Sequence, residues 1–283
     1  MINTTWVDGA EGERLHVVIS GAGPPVLLLS GLGGAWFDWD RVVPLLAGYT
    51  VVAMDRPGLG RSAPARRLPT LAGEVARIAA VAARLPAPVL LVAHSLAGWH
   101  AEAYARTHPE QVAGVVLVDP SVVDRPPWLW PLRAAPWLAL RPLARPAAAG
   151  GLGPRVRAGI ADRQSLCGDP ADPALIAEVY GRPDTLRAVV GELATFARLG
   201  AALVRLRGAT AWPPPVPLRV LTALAGAARR TAAEQWLVDQ RRLAASAPDG
   251  TCVPLADSAH QVMWDRPDAV ADAVRAVSGR RYP

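Results

Sequence analysis

Along the first 120 residues, short apolar runs alternate with stretches of helical period. Arg14–Ile19, Pro25–Ser30, Thr50–Asp55, Pro88–His94 and Val112–Asp119 read as strands. Val, Leu and Ala fill them without strict alternation, the pattern of strands covered on both faces of a parallel sheet. Helical stretches are expected at 37–47, 70–85 and 96–107, giving β-α-β punctuation. The rhythm returns late, with Leu218–Ala223 a strand, 228–246 a helix, Thr251–Leu255 a strand and Pro267–Val277 a helix. That order predicts an α/β fold built on a doubly wound, mostly parallel sheet.

Residues 121–212 break the rhythm. They are rich in Pro, Arg, Ala and Trp, with helical stretches near 174–180 and 184–207, and Pro213-Pro214-Pro215 closes them. The segment reads as a mostly helical cap inserted between two strands, with 1–120 and 213–283 forming one core. No internal repeat and no second independent domain are visible. The longest apolar stretch, Trp128 to Ala149, is broken by Arg133, Arg141, Arg145 and four prolines, so it is not a spanning helix.

With 283 residues, 51% of them hydrophobic, the chain has ample material for a large core, which excludes intrinsic disorder. Cys167 and Cys252 stand far apart without metal-ligand spacing, so neither a disulfide framework nor a zinc site is expected, and no cofactor is called for. The first residues, Met1 to Asp8, lack the basic start and apolar run of a secretory leader. A soluble, cytoplasmic protein acting on a small molecule is the expectation, with oligomeric state left open.

The net charge of +6 invites a nucleic-acid reading. All 30 basic residues are Arg, however, and 12 of them lie in 121–212 against 7 acidic residues there. No run interleaves basic with aromatic residues as a strand-binding surface would, so no nucleic-acid partner is expected. The excess reads as a solvated surface first. A weaker reading is a cap that favours substrates carrying a carboxylate or phosphate.

The chemistry concentrates at strand ends. Val89–Ala93 runs directly into Ala93-His94-Ser95-Leu96-Ala97-Gly98 and then a helical pattern. A serine at a tight strand-to-helix turn is a nucleophile elbow, usually G-x-S-x-G, because the turn brings two backbones together. Here Ala93 and Ala97 replace the glycines. The alternative is a buried serine capping a helix. Of five histidines, His16 lies in an early strand, His94 is expected to point away from Ser95, and His100 and His108 follow on or after the next helix. His260 sits on the loop between the last strand and last helix, at the carboxyl edge where ligands bind in such sheets, and is the candidate base. An orienting acid is expected at the end of the strand after the elbow helix or of the one beyond the cap. Leu218 to Ala228 holds no carboxylate, whereas Val115-Val116-Leu117-Val118 ends in Asp119, which is therefore the candidate; Asp124 and Asp257 are weaker ones. Backbone N–H groups of Leu96 and of Leu32, in Ser30-Gly31-Leu32-Gly33-Gly34, are the candidate oxyanion hole. That glycine-rich loop has neither G-x-G-x-x-G nor, in a chain without lysine, a P-loop, so a nucleotide site is set aside.

These residues, with Asp55-Arg56-Pro57-Gly58-Leu59-Gly60-Arg61-Ser62 and Ser258-Ala259-His260 through Asp265-Arg266-Pro267, resemble the α/β-hydrolase fold superfamily over the whole length except the cap. Ser30 departs from the histidine that commonly precedes the glycine there. Haloalkane dehalogenases and epoxide hydrolases share this layout but use an aspartate at the elbow, and epoxide opening relies on a pair of cap tyrosines where this cap has only Tyr180. The resemblance therefore implies acyl chemistry on Ser95: hydrolysis of an ester, thioester or lactone. C–C hydrolysis or lyase chemistry with the same triad, and a non-catalytic ligand-binding member of the fold, are the alternatives. Trp128, Trp130, Trp137 and Tyr180 are candidate pocket residues for an apolar substrate, core packing being the other reading of the tryptophans.

Overall fold

A computed structural model of the chain describes residues 2–86, 88–123, 130–214, 216–225 and 230–279. Among the described residues eight strands form one sheet: β1 (Ile2–Asp8), β2 (Arg14–Gly21), β3 (Pro25–Leu29), β4 (Thr50–Met54), β5 (Val89–His94), β6 (Val112–Val118), β7 (Leu218–Ala223) and β8 (Thr251–Leu255). The order across the sheet is β1-β2-β4-β3-β5-β6-β7-β8. The β1–β2 and β2–β4 pairs are antiparallel and the rest parallel.

Because side chains alternate across a strand, each buried strand feeds two cores. Val26, Leu28, Leu90 and Val92 pack on one face, against Val270, Val274 and Val277. Leu27, Leu29, Leu91 and Ala93 pack on the other, against Ile78, Val81, Ala101 and Tyr104. The helices that supply these partners are α1 (Leu71–Ala82) and α2 (Ala97–Thr107) on one side and, at the chain's end, Pro267–Ser278 on the other. Continuous apolar strands are what two-sided burial requires.

Between β6 and β7 the chain leaves the sheet for α3 (Trp130–Leu140), α4 (Ala144–Ala149), α5 (Leu152–Gln164), α6 (Pro173–Tyr180) and α7 (Pro183–Ala209). This is the helical insertion expected as a cap, and it holds more helix than the sequence pattern announces. After β7 come α8 (Arg230–Ala244), β8, the short α9 (Val262–Asp265) and α10 (Pro267–Ser278). Among the described residues no helix is long and apolar enough to cross a membrane.

Two expectations fail for identifiable reasons. The helix expected at 37–47 is instead two single 3₁₀ turns, Trp36–Trp39 and Val43–Leu46. Pro44 lacks an N–H and its ring clashes with the preceding turn, so one continuous helix cannot form. The strand β1 goes unannounced because it is a polar edge strand in which Val7 is buried and Trp6 is 43% exposed.

Candidate active site

Three loops at the carboxyl ends of β5, β6 and β8 converge. Ser95 turns from β5 into α2 with φ +52°, and Asp119 leaves β6 with φ +41°. These are the two non-glycine residues with positive φ among the described residues. Such backbone is costly for an L-residue and persists where surrounding structure fixes it. The fixing contacts are Ser95 N–H to the Val118 carbonyl (3.0 Å) and Asp119 N–H to the Leu221 carbonyl (2.8 Å). The strained turn tolerates Ala93 and Ala97, whose methyl groups are fully buried in the core facing α2.

The structure brings Ser95, His260 and Asp119 into one hydrogen-bonded chain. Ser95 Oγ lies 3.0 Å from His260 Nε2, and His260 Nδ1 lies 2.6 Å from Asp119 Oδ2. Asp119 can only accept, so Nδ1 carries the proton and Nε2 is left to accept from the serine. The other Asp119 oxygen accepts from the Ala223 N–H (3.0 Å) and from Trp236 Nε1 (2.9 Å). Trp236, on α8, is a residue the sequence pattern did not single out. Asp257 pairs with Arg266 at the surface (2.7 Å), and Asp124 lies outside the described residues.

His94 does not point away from Ser95 as expected. Its ring packs against that of His260 with centroids 4.6 Å apart, and its Nε2–H donates to the His260 carbonyl (2.9 Å). Burial, then the neighbouring His260, holds its pKa well below the usual histidine value, which keeps the ring neutral. Gly31 must be glycine here, since a Cβ would stand 2.5 Å from His94 Nδ1. His16 is fully buried against Asp55 (2.7 Å) in the core, and His100 is buried with its pKa also lowered by burial.

The loop after β3 runs beside Ser95. Among the described residues neither the Leu32 nor the Leu96 N–H has a hydrogen-bond acceptor, whereas the next N–H, that of Gly33, is taken by Glu192 Oε2 (2.8 Å). Arg56 holds this loop from behind, donating to the carbonyls of Ser30 and Gly31 (2.6 Å for Gly31) and to Glu192 Oε1 (2.6 Å). Both side chains of the Arg56–Glu192 pair are buried. The Asp55-Arg56-Pro57-Gly58 turn is therefore tied to this glycine-rich loop and, through Glu192, to α7. Ser30 donates to the Ala35 carbonyl (2.9 Å) and accepts from Trp39 Nε1 (2.9 Å), bracing the start of the same loop.

A cavity of about 300 Å³ opens over Ser95 and His260. Val156, Ile160, Leu186, Val189 and Leu193 from α5 and α7 give it an apolar wall. Tyr180 lines it, donating to the Gly33 carbonyl (2.9 Å) and accepting from Arg157 (2.6 Å). The tryptophans are a different matter. Trp137 is 37% exposed and does not line the cavity, while Trp128 and the side chain of Trp130 lie outside the described residues. Trp264, not expected there, takes part in the lining.

Among the described lining residues Arg157 is the one arginine. It pairs with Asp169 at both ends of its fork and with Asp38 (2.9 Å), and it lies over the rings of Phe37, Tyr180 and Trp264 at 4.8 to 5.1 Å. Burial raises the Asp38 pKa, an effect that Arg157 opposes. Among the described residues, the basic excess of the insertion thus contributes no free positive charge to this cavity.

The His260 loop is fastened from both sides. Asp265 accepts from the Ala259 N–H (2.9 Å) and from Ser165 Oγ (2.7 Å), and the Gln261 N–H donates to the Gln164 carbonyl (2.8 Å) at the end of α5. Burial would raise the Asp265 pKa, but the bonds from Ser165, Ala259 and Leu166 outweigh it and hold the carboxyl below its ordinary value. Among the described residues no group of His, Cys, Asp and Glu is arranged to hold a metal ion.

Comparison with known proteins agrees with this architecture. Epoxide hydrolase B of Mycobacterium tuberculosis is 34% identical over 119 residues, which cover 38% of this chain and 33% of that enzyme. A pimeloyl-[acyl-carrier protein] methyl ester esterase of Aeromonas hydrophila is 37% identical over 115 residues, covering 38% of this chain and 43% of that one. Each match spans less than half of the relative's own length. In structure, a thermophilic esterase from Thermogutta terrifontis superimposes with a TM-score of 0.69 at 18% identity, over 98% of both chains, a likeness of fold. The profile of the alpha/beta hydrolase family matches residues 26–273, from β3 into α10, and the chain belongs to that family.

Proposed function

We propose that the protein is a serine hydrolase that cleaves a carboxylic ester, thioester or lactone of a small, largely apolar and uncharged substrate. The observation that carries this reading is the chain from Ser95 Oγ through His260 to Asp119, at 3.0 and 2.6 Å, beneath a cavity with an apolar wall. Ser95 Oγ attacks the acyl carbon while its proton passes to His260 Nε2. Asp119 holds the ring's tautomer and stabilises the imidazolium that results. The Leu32 and Leu96 N–H groups, having no other acceptor among the described residues, donate to the oxyanion as it forms. The proton on Nε2 then leaves with the alcohol or thiol. Water, activated by the same nitrogen, attacks the acyl-enzyme and frees Ser95.

Relatives named epoxide hydrolases do not redirect this reading. That chemistry, in the family the sequence resembles, begins at an aspartate, and the elbow position here is Ser95. The paired Arg157 and its carboxylates favour a neutral substrate, since an anionic group would have to displace Asp169 or Asp38 from the guanidinium.

The direct test is labelling with a fluorophosphonate followed by peptide mapping, together with hydrolysis of neutral nitrophenyl esters of increasing acyl length. Covalent modification at Ser95 and a preference for short, uncharged acyl groups are expected. A protein that hydrolyses such esters but labels elsewhere, or that stays unlabelled and inactive, refutes the assignment.

A further inference from the structure

A second cavity, of about 260 Å³, lies on the other side of α7 from the Ser95 cavity. Asp184, Arg187, Ala188 and Gly191 of α7 border it, whereas Leu186, Val189 and Leu193 border the first. At 100° per residue these are opposite faces of one helix. Five arginines line the second cavity: Arg56, Arg67, Arg77, Arg141 and Arg187.

Three of the five are neutralised within the fold. Arg56 pairs with Glu192, Arg77 with Glu13, Glu74 and Glu11, and Arg187 with Asp184. Arg67 and Arg141 are not: among the described residues neither has a hydrogen-bond or ion-pair partner. Arg141 is only partly exposed, and its Nε is buried without any acceptor. A partly buried guanidinium left without a carboxylate is costly, and an anion seated in the cleft beside it would offset the cost. The walls are already rigid, because Pro57, Pro64 and Pro69 fix the backbone around the opening.

We propose that this cleft is a second ligand site, taking a phosphate or phosphate monoester group between the guanidinium groups of Arg67 and Arg141. The two guanidinium groups with no carboxylate of their own match a dianion, while Arg77 is shared among three glutamates. A tetrahedral oxyanion offers enough oxygens for two guanidinium forks, where a carboxylate satisfies one. The volume leaves room beside the phosphate for a small organic substituent. The site is separate from the Ser95 cavity and stands whether or not Ser95 is a nucleophile.

The test is calorimetric titration of the whole protein with inorganic phosphate, ionic strength held constant with sodium chloride. Saturable binding of one phosphate per chain is expected. Arg67→Ala and Arg141→Ala each remove a charge-assisted contact, and the affinity falls about tenfold or more in each. Arg141→Gln, which keeps the bulk and the fold, shows the same loss. Ser95→Ala and the surface variant Arg163→Ala bind phosphate as the parent does. No saturable heat at millimolar phosphate, a loss equally large in Arg163→Ala, or a loss on changing Ser95, overturns the proposal.

Discussion

Leu186, Val189 and Leu193 face the Ser95 cavity from one side of α7, while Asp184, Arg187 and Gly191 face the arginine-lined cleft from the other. Both cavities contain buried arginine, yet they differ in what the arginine is free to do. In the Ser95 cavity, Asp38 and Asp169 consume the Arg157 charge. In the cleft, Arg67 and Arg141 keep theirs among the described residues. Pairing decides the chemistry of a cavity, and a count of basic residues over 121–212 cannot reveal it.

The largest effect that separates the two cavities is Ser95→Ala. Turnover of a neutral ester should fall on the order of 10⁶ in kcat, as for other triad nucleophiles, while the cleft is untouched. Steady-state kinetics on the purified variant checks it, and activity above a few per cent would contradict the assignment. Next comes Asp119→Asn, which keeps the shape of the side chain but not its charge or its acceptor on Nδ1–H. A loss on the order of 10⁴ in kcat is expected, with Asp257→Asn close to the parent because that carboxylate is occupied by Arg266.

Glu192 belongs to both sides, since it contacts the cleft and also holds Gly33. Glu192→Ala frees the Gly33 N–H and leaves Arg56 buried without its carboxylate. A misplacement of about 1 Å costs on the order of 10² in rate, so kcat should fall by that order with KM little changed. Stability should drop by about 3–5 kcal/mol as for other broken buried pairs, which thermal unfolding measures. Glu192→Gln, which keeps an acceptor for the Gly33 N–H, should recover much of kcat. Equal effects on kcat and KM in both variants would mean that Glu192 serves only the fold.

The smallest effect is a comparison of substrates. An ester with a carboxylate in its acyl group should show no gain in kcat/KM over its neutral isostere, and kcat/KM for either should change less than tenfold between low and high salt, because the charge in this cavity is already paired and buried pairs are poorly screened. A clear preference for the anionic ester that fades with salt would show that Arg157 can be released from Asp169.

Much of the fold was legible because burial on two faces leaves a simple mark on sequence. Val89–Ala93 and Val112–Val118 are unbroken apolar runs, and Ser95 and Asp119 stand just beyond their ends. The sharp turns after them helped too, since small residues flank the serine. The insertion was harder. The buried positions of α5 are Gly153, Arg157 and Ala161, four residues apart, so its inward stripe has an arginine at its centre and no apolar periodicity. Glu192 sits likewise on the buried side of α7. Both look like solvent-facing charges in sequence, because their partners Asp38 and Arg56 are distant along the chain and Asp169 lies beyond the end of α5. His94 was misjudged for a similar reason: its packing against His260 depends on the chain after β8 folding back over the end of β5, with two strands between them in the sheet, which residue order alone does not express.

The fastenings between the helical insertion and the site carry a consequence for transplantation. Glu192 and Tyr180 grip Gly33, and Gln164 and Ser165 grip the His260 loop. A chimera that receives another family member's insertion in place of this one would lose all four contacts at once. It would then have a disarranged centre in addition to an altered pocket. Exchanges that carry these four residues along, or that vary only Val156, Ile160, Leu186, Val189 and Leu193, leave the scaffold's grip intact and change the shape of the apolar wall alone.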